Sequence, residues 1–339
     1  MRPVLLPANS PADRFYAGGR QITQFRGAGR LASDEPGASH EPEDWVASTT
    51  AVHGHSPTGL TVLPDGRLLR DAIMEDPVAW LGAEHLAALG PDPALLVKLL
   101  DAGQRLPVHA HPDVPFAVEH LGLGHGKTEA WVVLEPSRVH LGFARDVGLD
   151  ELAGWVRTQD TDAMLDAMHV LDLAAGDAVL VPAGLPHALG EGSFVVELQE
   201  PTDLSILLEW SGFGIDGATE GHLGLGFDIA LGAVDRRGWA AEEVAHLRGG
   251  TAGDHGDLLP DAAAFFRVER WTGTRTGGGG FAVLVVVAGR GRIVTAGTSH
   301  PVRRGDTVVL PAAAGPVTAE GEDLQVLVCR PPSARTPRV

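Results

Sequence analysis

The chain has 339 residues and a mass of 35.5 kDa, and 44% of its residues are hydrophobic. At roughly 150 residues per domain, this length predicts two domains with enough chain to bury a core. The formal net charge of −18 argues against nucleic acid and anionic membrane surfaces as partners. No apolar run approaches the ~18 residues of a membrane span, and the single cysteine, Cys329, excludes an internal disulfide framework. We therefore expect a cytoplasmic protein.

Two stretches carry apolar residues at helical spacing. The first runs from Asp76 to Leu100 and is interrupted by Gly90-Pro91. It places Lys98 at a helix end, where we expect a structural role or a charge that supports the metal site from outside its ligands. The second runs from Gly148 to Val170. Elsewhere, short apolar runs separated by glycine and proline are typical of sandwiches and barrels, so we predict a mainly β protein with helical insertions in its N-terminal half.

An internal repeat divides the chain. GDAVLVPAGLPHAL begins at Gly176, and GDTVVLPAAAGPVTA begins at Gly305. The first copy continues to His187, whereas the second has Pro316 at the matching position. The repeat predicts two related β units, of which residues 1–235 hold a metal and residues 236–339 lack the ligands for one.

Histidine, lysine and glutamate occur in pairs with a spacing of two. His109 and His111 lie in RLPVHAHPD, and Lys127 and Glu129 lie in GKTEAWVVLE. Residues two apart on a strand point to the same face, so each pair can face a common interior. His125 would join the second pair if the strand extended that far.

His187 completes a candidate metal site. It follows a Gly-x5-Pro-x-Gly-x2 string, in which glycine and proline turn the chain so that an imidazole lies at the end of a strand. Three histidines and one carboxylate suit zinc, iron or manganese. His53-Gly-His55 has the same spacing as the first histidine pair but lies in a Gly/Ser/Pro-rich loop, so we interpret it as structural or solvent-exposed.

In this order, the motifs resemble the cupin superfamily and, more narrowly, the class I phosphomannose isomerases. The resemblance runs from about Arg14 to Trp210 and includes LLVKLLDAGQRLPVHAHPD, GKTEAWVVLE, GDAVLVPAGLPHAL and EDWVAS. It implies a bicupin, that is, two β-barrel or jelly-roll units, the second of them degenerate. It also implies the metal ligands His109, His111, Glu129 and His187.

The resemblance assigns further roles and shows two departures from the family pattern. Lys127 corresponds to the pocket lysine, and Trp45 and Ser48 match positions near the substrate. The family usually has glutamine where this chain has His109, and the resulting three-His-one-Glu set is also typical of cupin oxygenases. The family's catalytic arginine is expected within 202–210, which contains no arginine. Ile206 aligns with its place, and Arg67 and Arg237 are candidate substitutes.

We therefore expect a metal-dependent aldose–ketose isomerase that acts on mannose 6-phosphate or a related sugar through a cis-enediol. The metal is expected to be zinc, with iron, manganese or nickel as alternatives. Lys127 either helps to move the proton or is a fixed ammonium that pairs with Glu129 or a substrate oxygen. The alternative functions are a cupin oxygenase and a non-catalytic sugar-binding or regulatory protein.

Overall fold

A computed structural model describes residues 1–27, 40–251 and 255–333 of the chain. Within these residues, twenty strands form four antiparallel sheets that pack in two pairs. Short helices connect the strands, most of them in the N-terminal half. The expected mainly β architecture with helical insertions is confirmed.

The first unit is a sandwich of two five-stranded sheets. In sheet A the strand order is β2 (Glu43–Val46), β3 (Leu96–Asp101), β10 (Phe194–Gln199), β5 (Glu129–Glu135), β8 (Ala178–Val181). In sheet B it is β11 (Ile206–Leu207), β4 (His109–Ala110), β9 (His187–Leu189), β6 (Ser137–Phe143), β7 (Met168–Leu173). Buried residues of both sheets, among them Trp131 and Leu141, form the core between them.

The second unit pairs a six-stranded sheet with a four-stranded one. In sheet C the order is β1 (Val4–Leu6), β18 (Thr307–Leu310), β15 (Ala282–Ala288), β20 (Gln325–Arg330), β13 (Arg267–Thr272), β12 (Gly256–Asp257). In sheet D it is β14 (Arg275–Gly277), β19 (Val317–Glu320), β16 (Arg290–Thr295), β17 (Thr298–Arg303). A separate apolar core fills the space between these two sheets.

Ten α-helices, the longest of ten residues, complete the described part of the chain. They are α1 (Arg20–Arg26), α2 (Leu69–Glu75), α3 (Pro77–Leu81), α4 (Ala83–Leu89), α5 (Val114–Phe116), α6 (Leu149–Thr158), α7 (Thr161–Asp166), α8 (Gly217–Glu220), α9 (Phe227–Ala230) and α10 (Ala241–His246). Each of these helices is too short or too polar to cross a membrane. The predicted helical stretch over 148–170 is confirmed as α6 and α7, although its last three residues already belong to β7.

The helical prediction over 76–100 is wrong in its second half. Helices α3 and α4 end before Gly90, and the chain then enters β3, in which every residue is buried. A short run of apolar residues reads the same way whether it forms a buried strand or a buried helix. Consequently Lys98 lies in the middle of a strand rather than at the end of a helix, and its side chain faces the interior of the first unit.

The two units share a third apolar core between sheets A and C. Val97 and Leu99 of β3 lie on the outer face of sheet A and belong to the same cluster as Val283 and Leu327 of sheet C. Strand β1, from the start of the chain, pairs with β18 of the second unit. The division into residues 1–235 and 236–339 stays a prediction, because the N-terminal strand and this core cross it.

Arg26 joins the two units through polar contacts. Its Nε lies 2.8 Å from Asp44 of β2, and its Nη1 donates to Gly305 O at 2.9 Å and to Thr307 Oγ1 at 2.8 Å. The Asp44 side chain is fully buried. Burial raises the pKa of this carboxyl and Arg26 opposes that rise, so the guanidinium is the charge that compensates the buried carboxylate.

We expect Arg26→Met to lower the free energy of unfolding by about 3–5 kcal/mol at neutral pH, because it leaves the buried Asp44 without its charged partner. The loss should shrink as the pH falls, since a protonated carboxyl needs no counter-charge. Urea unfolding at several pH values measures both effects. Arg67→Met, which removes a half-exposed guanidinium, is the control and should change stability little. Equal stability of the Arg26 variant and the wild type would contradict the expectation.

Candidate active site

Three histidines meet on the inner face of sheet B. His109 on β4 pairs directly with His187 on β9, and His111 follows two residues after His109. Their ring centroids are 4.1–4.9 Å apart, and one nitrogen from each ring lies within 4.8 Å of the others. All three side chains are buried. The structure therefore brings together the predicted histidines as a group that could hold a metal ion.

Backbone carbonyls set the orientation of all three rings. The Nδ1 atoms of His109, His111 and His187 lie 2.8, 2.7 and 2.8 Å from the carbonyl oxygens of Pro107, Leu204 and Leu185. Since a carbonyl only accepts hydrogen bonds, each Nδ1 carries the proton and each Nε2 carries a lone pair. The buried Nε2 of His187 has no hydrogen-bond partner among the described residues.

Glu129 and Lys127 lie beside the histidines. The Glu129 carboxylate is 3.0 Å from His111 Nε2 and 3.4 Å from His187 Nε2, and Trp131 Nε1 donates to it at 3.0 Å. Lys127 Nζ donates to Glu129 Oε2 and lies 2.8 Å from His111 Nε2. Metal binding at His111 would require this last hydrogen bond to be released, because the same lone pair would serve both.

Burial keeps His109 and His111 neutral. It lowers the pKa of His111 to about 3, assisted by the charge of Lys127, and it lowers the pKa of His109 well below its usual value, assisted by His187. Burial by itself would raise the pKa of Glu129, but Lys127 and His111 lower it well below its usual range. Neutral imidazoles and an ionised carboxylate are the forms that bind metals. The donor set therefore fits a divalent transition metal.

A cavity of about 810 Å³ lies beside this group, and His109, Lys127 and Glu129 are part of its lining. One wall is the inner face of sheet A, where Glu43, Lys98, Glu197 and Glu129 project from four neighbouring strands, β2, β3, β10 and β5. Lys98 and Lys127 are the only lysines in the chain, and both line this cavity. Such a row of buried charges is rare unless the groups pair with one another or act on a ligand.

Glu43 is the hub of a buried polar network. It accepts hydrogen bonds from Tyr16 Oη and from Trp45 Nε1 at 2.6 Å, and it pairs with Arg14 at 3.3 Å and with Lys98 at 3.6 Å. Burial alone would raise the pKa of Glu43, but Arg14 and Lys98 lower it well below its usual range. The carboxylate therefore stays ionised and holds its four partners in place.

Glu197 is a buried carboxyl of the cavity wall whose pKa is raised to near neutral pH. It is 3% exposed and lies 3.6 Å from Lys98. Burial, followed by the charge of Glu129, raises the pKa of Glu197 to about 7 against the opposing charges of Lys127 and Lys98. Sequence reasoning missed this residue. The available signal was an acidic residue at the centre of the apolar strand FVVELQ, where a charge is costly.

The two predicted substrate-binding residues are buried but are not part of the cavity lining. Trp45 is fully buried, and Lys98 Nζ sits 4.5 Å from its ring centroid. Ser48 Oγ donates to Thr50 O at 2.8 Å within its own loop. Neither Trp45 nor Ser48 lines the cavity. Their assignment as substrate-binding residues stays a prediction.

Other candidate histidines have different positions. Strand β5 begins at Glu129, so neither His125 nor Lys127 is part of it. The ring of His125 instead pairs with Asp92 at 2.7 Å. His53 and His55 are exposed, as expected, yet both line the mouth of the cavity. The sequence did not predict that position, because the loop reaches the cavity only in the folded chain.

The structure also locates the candidates for the absent arginine. Arg67 and Arg237 pair with exposed carboxylates and do not line the cavity. Ile206 pairs with Ala110 and packs into a core outside the cavity, whereas its neighbour Leu207 pairs with His109 and lines the cavity. The inward position of this strand is thus Leu207 rather than Ile206. Among the described residues, Arg14 is the one arginine that lines the cavity.

No family model matches the chain. The mannose-6-phosphate isomerase of Streptococcus mutans serotype c is 27% identical over 281 residues, which cover 80% of this chain and 84% of that protein. The mannose-6-phosphate isomerase ManA of Bacillus subtilis is 26% identical over 239 residues, which cover 67% of this chain and 72% of that protein.

Solved structures share the fold across almost the whole chain. A mannose 6-phosphate isomerase from Bacillus subtilis superposes with a TM-score of 0.73 at 21% identity, covering 97% of this chain and 100% of that one. A mutant of phosphomannose isomerase from Salmonella typhimurium gives 0.72 at 16% identity, covering 98% and 100%. Fold and site define a protein of two β-sandwich units with a group of three buried histidines in the first. In sequence the chain is similar to mannose-6-phosphate isomerases, and in fold to their solved structures, as the motifs predicted.

Proposed function

We propose that this protein is a metal-dependent aldose–ketose isomerase that interconverts mannose 6-phosphate, or a related sugar, with the corresponding ketose. The observation that carries the proposal is the set of three buried histidines whose Nε2 lone pairs converge beside Glu129 at the end of a charged cavity. The curated relatives, named mannose-6-phosphate isomerases, support the same reaction.

We propose His109, His111, Glu129 and His187 as the metal ligands, with zinc as the first choice of metal and iron, manganese or nickel as alternatives. Three imidazoles and one carboxylate form a donor set that such metals accept. When bound, the metal supplies Lewis-acid stabilisation for the negative charge that develops on the substrate oxygens.

The proton transfer is assigned to side chains of the cavity. Glu197 is the proposed base: its carboxylate takes the proton from C2 of the open-chain aldose and returns it to C1 through a cis-enediol, while the hydroxyl proton of O2 passes to O1. A base with a pKa near the working pH is best suited to this task. Lys127 presents an ammonium to the substrate oxygens, which is the fixed-cation role among the two expected for it. Trp45 supports the site by holding Glu43 and Lys98.

We propose the cytoplasm as the compartment and a sugar or sugar phosphate as the partner. The single cysteine, Cys329, is buried and burial raises its pKa to well above the usual value, so it neither requires nor favours an oxidising environment.

The reaction is tested with a panel of hexoses and hexose 6-phosphates, using protein loaded with zinc, manganese, iron or nickel. We expect mannose 6-phosphate and fructose 6-phosphate to interconvert, with an activity that a chelator removes and added metal restores. Proton exchange from solvent into C1 or C2, followed by NMR, reports the enediol route. Oxygen uptake without interconversion would replace the proposal with an oxygenase, and sugar binding without turnover would replace it with a binding protein.

A further inference from the structure

Arg14 lies on the segment between β1 and α1 and forms part of the cavity wall. Its backbone is fixed to His40, whose carbonyl accepts from Arg14 N at 3.0 Å and whose Nδ1 contacts Arg14 O at 2.8 Å. The side chain is 14% exposed. The guanidinium is therefore held in a defined position and still open to the cavity.

Only part of the hydrogen-bonding capacity of Arg14 is used within the protein. Its Nη2 makes both carboxylate contacts, at 3.3 Å from Glu43 and 3.6 Å from Asp203. Its buried Nε has no hydrogen-bond partner among the described residues. A guanidinium has five donors in a planar arrangement, and a buried donor without a partner is energetically costly. Donors kept at that cost are available for a ligand.

Arg14 contacts the edge of sheet A that lies three strands from Glu129. It reaches Glu43 on β2, the edge strand of sheet A, whereas Glu129 is on β5, the fourth strand. Three strand spacings, about 14 Å, separate the two backbones, and Lys98 and Glu197 project between them. A ligand whose reacting end lies at Glu129 and the histidines would extend along this row toward Arg14.

The two carboxylates in contact with Arg14 are balanced by Arg14 and Lys98, while the carboxyl groups of Asp13, Glu197 and Glu220 also line the cavity. Arg14 and Lys98 share the carboxylates of Glu43 and Asp203, at 3.3–3.7 Å, so the four formal charges sum to zero. The exposed imidazoles of His53 and His55 lie on the same mouth of the cavity, and His53 N donates to Asp203 at 3.3 Å. A planar guanidinium matches phosphate oxygens in a bidentate arrangement that a lysine ammonium does not offer.

We propose that Arg14 receives the phosphate group of the substrate and thereby sets the preference of the site for a hexose 6-phosphate over the free hexose. The inference rests on the proposed isomerase function, because it places the reacting end of the sugar at the histidines. It assigns specificity to the N-terminal segment rather than to β11, where Leu207 faces the cavity and no arginine is present.

The test compares kcat/KM for mannose 6-phosphate and for mannose in the metal-loaded wild type, Arg14→Met and Arg14→Lys. For Arg14→Met we expect kcat/KM with mannose 6-phosphate to fall about 10- to 150-fold, the value of one hydrogen bond to a charged group, while mannose changes by less than about threefold. Arg14→Lys keeps the positive charge but loses the planar pair of donors. Its kcat/KM for mannose 6-phosphate should therefore lie between the values of the wild type and of Arg14→Met.

Tyr16→Phe is the matched control, because it removes another donor to Glu43 without touching the guanidinium. If Arg14 acted only by positioning Glu43, both variants would lower kcat/KM for the two substrates equally, and the inference would be overturned. Circular dichroism and thermal unfolding show whether each variant folds; should Arg14→Met fail to fold, Arg14→Lys decides.

Binding of two unreactive polyols separates this inference from the proposed reaction. We expect glucitol 6-phosphate to bind the wild type about tenfold or more tightly than glucitol, and Arg14→Met to remove that difference. An inactive wild type that still shows the Arg14-dependent preference would refute the isomerase function and keep the phosphate site. An active wild type whose preference survives in Arg14→Met would refute the phosphate site alone.

Discussion

Glu197→Gln is expected to lower kcat for mannose 6-phosphate by about 100- to 10,000-fold with little change in KM, because the amide cannot accept the proton that moves between C1 and C2. In the wild type, kcat should rise with pH through about 7, since only the ionised carboxylate is a base and burial raises the pKa of Glu197 to about 7. The residual kcat of Glu197→Gln should not show this rise with pH. Steady-state kinetics from pH 5 to pH 9 measure both effects.

The control for this variant is Glu135→Gln, which removes a carboxylate from the exposed end of β5 and should leave kcat unchanged. A role for Glu197 limited to holding Lys98 predicts a different outcome, namely a loss of activity that is equal at all pH values. That result, or wild-type kcat in Glu197→Gln, would remove Glu197 from the proton transfer.

His187→Ala is expected to abolish metal binding and to lower kcat by about 1,000-fold or more, since Lewis-acid stabilisation contributes several kcal/mol to such reactions. His187 offers the one histidine Nε2 of the group that is buried without a hydrogen-bond partner in the described structure. After loading, the wild type should hold about one equivalent of metal per chain and the variant almost none. Metal analysis by mass spectrometry gives the stoichiometry.

Thermal unfolding supplies a second readout that does not depend on activity. A metal at 100 times its Kd stabilises the folded state by about 2.7 kcal/mol, so zinc should raise the Tm of the wild type and not that of His187→Ala. His246→Ala, a change on the exposed face of α10, serves as the control and should respond to zinc like the wild type. Equal metal content in the wild type and in His187→Ala would contradict the proposed centre.

Local spacing was sufficient to predict the metal group. The histidines at 109 and 111, and Lys127 with Glu129, lie two apart, and strand alternation predicts that each pair faces one side of the chain, although β4 ends at Ala110 and β5 begins at Glu129. The turn signals before His187 predict an imidazole at the end of a strand. The structure places all of these side chains at one site, with Glu129 next to the histidines.

The remaining cavity residues depend on pairing between distant segments. Strands β2, β3 and β10 are hydrogen-bonded in a register that makes neighbours of Glu43, Lys98 and Glu197. These residues are 55 and 99 positions apart in the chain, so the local pattern of residues does not predict that they meet. The strand that carries Lys98 is buried on both faces, so its pattern of apolar residues is equally compatible with a helix.

By itself, the sequence determined the mainly β fold and the residues of the histidine group with Glu129 beside it, because these follow from short-range chemistry and spacing. Only the tertiary structure decided that both lysines line one cavity, that Glu197 lies among charges that raise its pKa, and that Arg14 takes a place on the cavity wall. The physical reason is that burial and the electric field at a side chain are set by neighbours from other strands, which the order of residues does not specify.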